Sequence, residues 1–175
     1  MSAAVEAVYD PPETAAHLFD LHADSVFTLA ARILSDFHEA EDVVQATFVS
    51  VQTRLSTFRG EGTVEAWVHR IAYNQSIGVL RNRRFELTDP SVFLTVEDTR
   101  VRTPEQHALN NEVRTAMETA LAMLSTTLRA AFVLREIQQL STIEVASVLD
   151  TTESAVKMRL ARARAAVRNS MREYL

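Results

Sequence analysis

Apolar residues recur at the spacing of an α-helix along most of this 175-residue chain, and no segment keeps the alternation of a β-strand. A clear case is the set Val44, Phe48, Val51 and Leu55, at positions i, i+4, i+7 and i+11. The hydrophobic content of 47% is sufficient for a buried core. The sequence therefore predicts an all-α fold.

The pattern predicts three helices in the first half of the chain. They cover His17–Ile33, about Glu39–Thr57 and about Val64–Arg84. For the first helix we expect a core of Leu18, Leu21, Val26, Leu29 and Ile33, and for the third a core of Val64, Val68, Ile71, Ala72 and Val79.

Helical periodicity then fails over a polar stretch, which Asp89-Pro90 and Thr103-Pro104 bracket. Such a stretch is typical of a flexible interdomain linker. Thr103-Pro104 is also a good helix start, and helices are predicted to Leu124 and over Thr126–Gln138. We therefore predict two small helical domains, residues 1–85 and 103–175, joined by a linker at 86–102.

The C-terminal domain has the pattern of a helix-turn-helix. Ser141 and Glu144 form a predicted capping box that opens a short helix to Leu149, and a longer basic helix follows from about Glu153. In the longer helix, one apolar face is predicted to lie in the core: Val156, Leu160, Ala163 and Val167. The opposite side and its flanks are predicted to meet DNA, with the first residues near base edges and the later arginines on phosphates: Ser154, Lys157, Met158, Ala161, Arg162, Arg164 and Arg168.

Charge is segregated along the chain. Trp67–Arg84 and Ser154–Arg172 hold ten of the eighteen Lys and Arg residues and no Asp or Glu, in a protein of net charge −5. Two basic helical stretches in an acidic protein favour contact with DNA phosphates. The alternative is that each is an ordinary solvated helix face.

Two surfaces of the first domain are candidates for binding. The third helix carries a stripe of aromatic, amide and guanidinium groups that suits a nucleic-acid strand: Trp67, Arg70, Asn74, Ile77 and Arg81. The alternative for Trp67 is a large core residue. The second helix turns a mainly polar face to solvent, on the side opposite Val44 and Phe48, and this face could bind a partner: Asp42, Gln45, Ala46, Val49 and Gln52.

Composition gives little support for catalysis or a cofactor. The chain has no cysteine, and its five histidines lack the spacing of metal ligands. Gly60-Glu61-Gly62 lacks the third glycine of a dinucleotide-binding loop and is interpreted as a turn. No apolar run reaches the roughly 20 residues of a membrane span, and the N-terminus lacks the pattern of a signal peptide, so we expect a cytoplasmic protein without membrane insertion.

Four segments together closely resemble the signatures of extracytoplasmic-function (ECF) sigma factors of bacterial RNA polymerase. They are Ala40-Glu41-Asp42-Val43-Val44-Gln45, Phe58-Arg59-Gly60, Trp67-Val68-His69-Arg70-Ile71-Ala72-Tyr73-Asn74 and the run Ser154–Arg164. The match extends from about residue 17 to residue 171 in the family's order and spacing. Jointly these motifs are highly specific.

The resemblance implies a non-catalytic promoter-specificity subunit that binds core RNA polymerase at the β′ clamp and the β flap. The clamp contact would be made by Glu41, Asp42, Gln45, Val49 and Gln52. The first domain would melt the −10 element and capture a flipped base, through Phe58, Arg59, Gly60, Thr63, Trp67, Arg70, Asn74, Ile77 and Arg81. The second domain would read the −35 element, and an anti-sigma factor is a usual further partner.

Three positions depart from the family pattern: Ala46, where an acid is common, Gly78, where Asp or Asn is common, and Met158, where a small polar residue is common. Two other functions remain as alternatives. One is a helix-turn-helix transcription regulator with an N-terminal ligand or dimerisation module, which would not need the Trp67, Arg70 and Asn74 stripe. The other is a phosphotransfer or metal enzyme, for which residues at site spacing are lacking.

Overall fold

The structure, a computed structural model, describes residues 14–88 and 108–172. Within these two ranges the chain is helical and contains no strand, which confirms the all-α prediction. The helices are α1 (Ala15–Leu34), α2 (Phe37–Arg54), α3 (Val64–Thr88), α4 (Ala108–Ala122), α5 (Thr126–Phe132), α6 (Thr142–Val148) and α7 (Glu153–Ser170). A 3₁₀ turn, Leu55–Thr57, follows α2, and a π-helical turn, Val133–Ile137, follows α5.

Side-chain caps set the first helix boundaries. Thr14 Oγ1 accepts a hydrogen bond from the backbone N–H of His17 at the start of α1, at 3.2 Å. Ser35 ends α1 in a left-handed conformation, with φ of 56°. Asp36 then caps α2 by accepting from the N–H of Glu39 at 2.9 Å. The chain thus passes from α1 into α2 within two residues.

α1, α2 and α3 pack together as the N-terminal domain. Leu18, Val26, Leu29 and Ile33 of α1 are buried as predicted. Leu21 was predicted in this core, but it is 57% exposed, so that prediction is wrong. At 100° per residue, its position lies roughly 130° from the centre of the buried face of α1.

The other two helices of this domain largely follow the predicted pattern. Phe48 and Val51 of α2 are buried. In α3, Val68, Ile71 and Ala72 are buried. Four further predicted core residues are only partly buried: Val44, Leu55, Val64 and Val79. α3 continues to Thr88, beyond its predicted end. Most of the predicted linker lies outside the described residues, as do Asp89-Pro90 and Thr103-Pro104.

The helix-turn-helix of the C-terminal domain forms as predicted. Ser141 Oγ accepts from the N–H of Glu144 at 3.3 Å, and Glu144 Oε2 accepts from the N–H of Ser141 at 2.7 Å, which completes the capping box. Asp150, with φ of 48°, turns the chain, and Thr152 caps α7. All four predicted core residues of α7 are buried: Val156, Leu160, Ala163 and Val167.

The helix before the helix-turn-helix differs from its prediction in one respect. Thr126–Gln138 was predicted as a single α-helix, but the α-helical part ends at Phe132 and a π-helical turn follows. Ser125 lies at the N-cap of α5 as expected, although its side chain makes no capping hydrogen bond. π-Helical turns widen a helix locally, and this one lies beside α1 and α6.

The two domains share one apolar core. Leu18 and Leu29 of α1 belong to the same cluster of buried residues as Leu134, Val145 and Val156 of the C-terminal domain. A second cluster, formed by α4, α5 and α7, lies within the C-terminal domain alone. The domains are therefore packed against each other, mainly where α5 meets α1 and where α6 meets α3.

Polar contacts reinforce this domain interface. Arg129 of α5 donates to the backbone oxygen of Arg32, near the end of α1, at 2.8 Å. Gln138 Nε2 donates to the backbone oxygen of Ser25 at 3.1 Å. Arg32 itself pairs with Glu118 of α4, at 2.8 Å between Nη2 and Oε1.

Candidate nucleic-acid interface

The turn before α3 brings two of the predicted −10 residues, Phe58 and Arg59, to the first turns of that helix. Gly60 and Gly62 have φ values of 73° and 89°, which residues with a Cβ rarely adopt. Thr63 then caps α3, because its Oγ1 accepts from the N–H of Ala66 at 3.2 Å. The turn thus carries Phe58 and Arg59 back toward α3.

An aromatic pair marks the centre of this surface. The rings of Phe58 and Trp67 lie 5.3 Å apart between centroids, with 41° between their planes. Together with Arg59 and Arg70, they line a cavity of about 180 Å³. Trp67 is partly buried and packs on the apolar core, while part of its ring borders the cavity.

The rest of the predicted stripe runs along α3. Arg70, Asn74 and Arg81 are exposed, whereas Ile77 is partly buried. Asn74, Ile77 and Arg81 do not line the cavity. The structure therefore places four predicted residues around one cavity: Phe58, Arg59, Trp67 and Arg70. The remaining residues of the stripe lie further along α3.

One arginine of the same basic stretch has a structural role. Arg83 forms an ion pair with Glu39 of α2 and donates through Nη1 to the backbone oxygen of Leu34 at 3.1 Å. Its Nε lies 2.9 Å from Glu39 Oε1. Arg83 thus ties α3 to the α1–α2 junction, so the charge of this stretch is not all available for DNA.

The predicted clamp-binding face of α2 is open to solvent. All five of its members are exposed: Glu41, Asp42, Gln45, Val49 and Gln52. Val49 is 62% exposed and is the aliphatic member of this otherwise polar face. Ala46, the neighbour that replaces a common acid, is partly buried.

The predicted DNA face of α7 is also exposed. Its members Ser154, Lys157, Met158, Ala161, Arg162, Arg164 and Arg168 all face solvent. Met158 is 60% exposed. Arg164 already has a partner, since its Nη2 lies 2.6 Å from Glu136 Oε1.

Several residues of the C-terminal domain lie against α3, and none of them was predicted as part of this surface. Thr63 Oγ1 donates to Glu144 Oε1 at 2.7 Å, and Arg70 Nη2 lies 3.7 Å from Asp150 Oδ1. Ser147 of α6 lines the cavity beside Trp67. The hydrogen bond from Thr63, with a further one from Ser141, holds the pKa of Glu144 below its usual value. The sequence contained no signal for these contacts beyond the capping box itself.

Two buried basic side chains were missed as well. His69 is fully buried, and its Nδ1–H donates to the backbone oxygen of Glu65 at 2.8 Å, which leaves Nε2 unprotonated. Burial lowers the pKa of His69. Burial also lowers the pKa of Arg129, whose Nη2 donates to the backbone oxygens of Ala122 and Leu124 at 2.5 and 3.0 Å.

Residues 14–88 and 108–172 contain no cluster of His, Cys, Asp and Glu side chains that could hold a metal ion. No helix in those ranges has the length and apolarity needed to cross a bilayer.

Both domains match known protein families. Residues 18–86 match the model of Sigma-70 region 2, and residues 114–167 match that of Sigma-70, region 4. The chain is 30% identical over 173 residues to the RNA polymerase sigma-H factor of Pseudomonas aeruginosa, covering 90% of this chain and 88% of the relative. It is also 26% identical over 171 residues to the ECF RNA polymerase sigma factor SigW of Bacillus subtilis, covering 90% and 89%.

This chain belongs to the ECF sigma factors. Among solved structures, the sigma factor RpoE of Bartonella quintana, in complex with the anti-sigma factor NepR, has the same fold, with a TM-score of 0.74. It is 23% identical in sequence, and the match covers 88% of this ECF sigma factor and 94% of that chain.

Membership of the family gives the ECF sigma factor its general function. It directs promoter recognition with RNA polymerase and thereby transcription initiation. The match of the N-terminal domain to Sigma-70 region 2 leaves no place for the ligand or dimerisation module of a simple helix-turn-helix regulator. The resemblance drawn from the sequence motifs is thus confirmed.

Proposed function

We propose that this sigma factor acts without catalytic chemistry of its own, through three surfaces. The face of α2 binds the β′ clamp, the start of α3 melts and holds the −10 element, and α7 reads the −35 element while its domain contacts the β flap. The observation that carries the proposal is that one small domain exposes both an acidic polar face on α2 and an aromatic and basic surface on α3. A protein that only reads duplex DNA needs neither.

The surface of α3 is suited to unpaired DNA. Phe58 and Trp67 offer rings on which bases stack, and Arg59 and Arg70 border the same cavity, where they can pair with phosphates. Asn74 is exposed one to two turns further along α3 and supplies an amide for a base edge. These groups act on single strands, so they favour strand opening over duplex binding.

The surface of α7 is suited to the major groove. Lys157 and Met158 lie in its second turn, close enough to the N-terminus to reach base edges. Arg164 and Arg168 lie further along and meet phosphates. The Arg164–Glu136 pair is solvent-exposed, so exchanging Glu136 for a phosphate costs little.

Two further features of the proposal concern the cell. The protein acts in the cytoplasm, where core polymerase and promoter DNA are found. An anti-sigma factor holds it inactive, as NepR is bound to RpoE in the Bartonella quintana complex. A test is to purify the tagged chain from cells. An anti-sigma factor should co-purify with the chain in a fraction that contains no core polymerase.

Strand opening is tested by permanganate footprinting of thymines in complexes with core polymerase. We expect Asn74→Ala to retain promoter binding but to lose thymine reactivity, because a bidentate amide contact to a base edge is worth roughly 1–3 kcal/mol. Asn82→Ala, which removes another exposed amide of α3, is the matched control. Equal reactivity in Asn74→Ala and Asn82→Ala would contradict the assignment of α3.

Clamp binding is tested by a pull-down with core polymerase. We expect Asp42→Lys with Gln45→Ala to weaken the complex, since both side chains are exposed and their loss should leave the core of α2 intact. Asp20→Lys, on the exposed face of α1, controls for the change of charge. Unchanged polymerase affinity of the folded α2 variant would rule out this docking face.

A further inference from the structure

The C-terminal domain covers part of the surface that we assign to the −10 strand. Glu144 of α6 accepts a hydrogen bond from Thr63 at 2.7 Å, and Asp150, just after α6, lies 3.7 Å from Arg70. Between them, Ser147 of α6 borders the cavity of Trp67. We call this set of interactions the α3–α6 contact.

The chemistry of the α3–α6 contact is that of a phosphate site occupied by carboxylates. A hydroxyl and a guanidinium are common ligands of DNA phosphates, and here each of them faces an acidic side chain. The lowered pKa of Glu144 keeps its carboxylate ionised at neutral pH. The single hydroxyl hydrogen of Thr63 cannot be donated to Glu144 and to a phosphate at the same time, and Asp150 offsets the charge of Arg70 that a phosphate would meet.

We propose that the α3–α6 contact is an intramolecular inhibitor of strand binding, in which Glu144 and Asp150 compete with DNA phosphates for Thr63 and Arg70. The proposal rests on the proposed function of α3 as the −10 surface. Under this proposal, the free protein rests in the closed arrangement, with its two domains packed together. The contact must break before the unpaired strand can bind.

The dimensions of the protein also indicate that the two domains separate when it binds a promoter. A compact chain of this length has a radius of gyration of about 16 Å. The −10 and −35 elements are about 25 base pairs apart, which is about 85 Å at 3.4 Å per base pair. The closed protein is too short to reach both elements, so its domains must separate on a promoter. The DNA face of α7 is exposed even in the closed arrangement, so only strand binding requires the α3–α6 contact to break.

Two conservative substitutions remove the acidic charges without disturbing the local backbone. Glu144→Gln keeps a side chain that can complete the capping box with Ser141. Asp150→Asn suits the left-handed backbone at this position, where φ is 48°. The matched control is Asp20→Asn with Asp24→Asn, which removes the same charge from exposed positions of α1.

The first measurement is the affinity of the full chain for a short fluorescein-labelled single strand of mixed sequence, by fluorescence anisotropy. Exposed ion pairs and hydrogen bonds are individually weak, so we expect Glu144→Gln with Asp150→Asn to bind roughly threefold to tenfold more tightly than the control. Equal affinity of the double variant and the α1 control would overturn the proposal.

The second measurement needs no DNA. Trp67 is the only tryptophan of the chain and lies at the α3–α6 contact, so acrylamide quenching of its fluorescence reports whether this contact is open. We expect a larger quenching constant in the double variant than in the α1 control. An unchanged quenching constant would show that the two acids do not hold the contact closed, and would also overturn the proposal.

A third variant separates this proposal from the assignment of α3. Arg70→Ala should weaken strand binding both alone and combined with the double variant, because Arg70 is itself a proposed DNA ligand. If Arg70→Ala left strand binding unchanged in both backgrounds, the assignment of α3 to the −10 strand would be wrong. Trp67 quenching would still report whether Glu144 and Asp150 close the α3–α6 contact.

Discussion

Burial changes the chemistry of two basic residues in this protein. Arg129 has no acidic partner among the described residues, and backbone oxygens at the ends of α1 and α4 accept its hydrogen bonds instead. The negative ends of those helix dipoles compensate the buried charge. His69 differs, because burial lowers its pKa and this outweighs the hydrogen bond to the Glu65 oxygen, which favours the charged form.

The state of His69 predicts a loss of stability in mild acid. Its pKa is below 6.5 in the folded protein, so the unfolded chain binds more protons as the pH falls. The free energy of unfolding should therefore be constant above pH 6.5 and fall below it by up to about 1.4 kcal/mol per pH unit, until the folded pKa is reached. Urea unfolding at pH 7.5 and pH 5.5 measures the difference.

The matched variants are His69→Gln and His38→Gln. The side chain of His38 is 96% exposed, so His38→Gln controls for the loss of a histidine at the surface. His69→Gln should remove the part of the fall in unfolding free energy below pH 6.5 that His69 causes, whatever the effect of this substitution on stability at neutral pH. The same pH slope in both variants would contradict the interpretation of His69 as a buried neutral base.

At the scale of helices and turns, two glycines have opposite roles. Gly78 lies within α3, and a Cβ built there meets no atom within 4 Å. Gly62 also has open space around it, but its φ of 89° belongs to the turn before α3. The two positions therefore differ in backbone conformation and not in available space.

Substitution of these glycines should have opposite effects on stability. Gly78→Ala should stabilise the protein by about 1 kcal/mol, because alanine loses less backbone freedom in a helix. Gly62→Ala should destabilise it by about 1–2 kcal/mol, because an L-residue is strained at positive φ. Thermal unfolding followed by circular dichroism distinguishes them, and a stabilising Gly62→Ala would refute the conformational argument.

The position of residues along α7 predicts a separation of affinity from specificity. Arg168→Gln should reduce the log–log salt slope of DNA binding by about 0.9 with little change in sequence preference, because it removes one phosphate contact. Lys157→Ala should instead change discrimination at particular −35 positions by around 1–3 kcal/mol. Met158→Ala should have a smaller effect of the same kind.

The measurement for α7 is an anisotropy titration with salt on the cognate −35 duplex and on point-substituted duplexes. The full chain is the appropriate material, since the C-terminal domain shares its apolar core with α1. A changed base preference in Arg168→Gln, together with a uniform loss of affinity in Lys157→Ala, would show that α7 docks in the opposite orientation.

At the scale of the whole molecule, the shared core couples the two domains. Leu29 of α1 and Leu134, beside α5, are both fully buried in the same apolar cluster. Separating the domains exposes part of this cluster to water, which opposes opening. On a promoter, binding of polymerase and DNA to the open form must outweigh that cost.

This coupling predicts a single unfolding transition for the free protein. Trp67 fluorescence reports on the N-terminal domain, whereas far-ultraviolet circular dichroism reports on the helices of both domains. The two urea transitions should coincide, since most of the buried apolar residues of both domains belong to the shared cluster. Two separate midpoints would show that the domains fold independently and that the shared cluster contributes little.

Most of the secondary structure could be predicted from the sequence. Three kinds of feature depend only on residues that are close in the chain: helical periodicity, the Ser141–Glu144 capping box and the family motifs. They can therefore be recognised without a tertiary structure. The exposed faces of α2 and α7 follow from the same periodicity. The prediction for Leu21 was wrong because a short apolar pattern does not show which side of a helix the other helices will cover.

The sequence by itself determined the helices, the order of the two domains and the sigma factor family. Only the tertiary structure decided which polar residues meet across the domains: Thr63 with Glu144, and Arg70 with Asp150. These partners are some 80 residues apart in the chain, and their side chains carry no periodic signal of their own. Their pairing depends on how the shared apolar core docks α6 onto α3, which is a property of packing in three dimensions and not of local spacing.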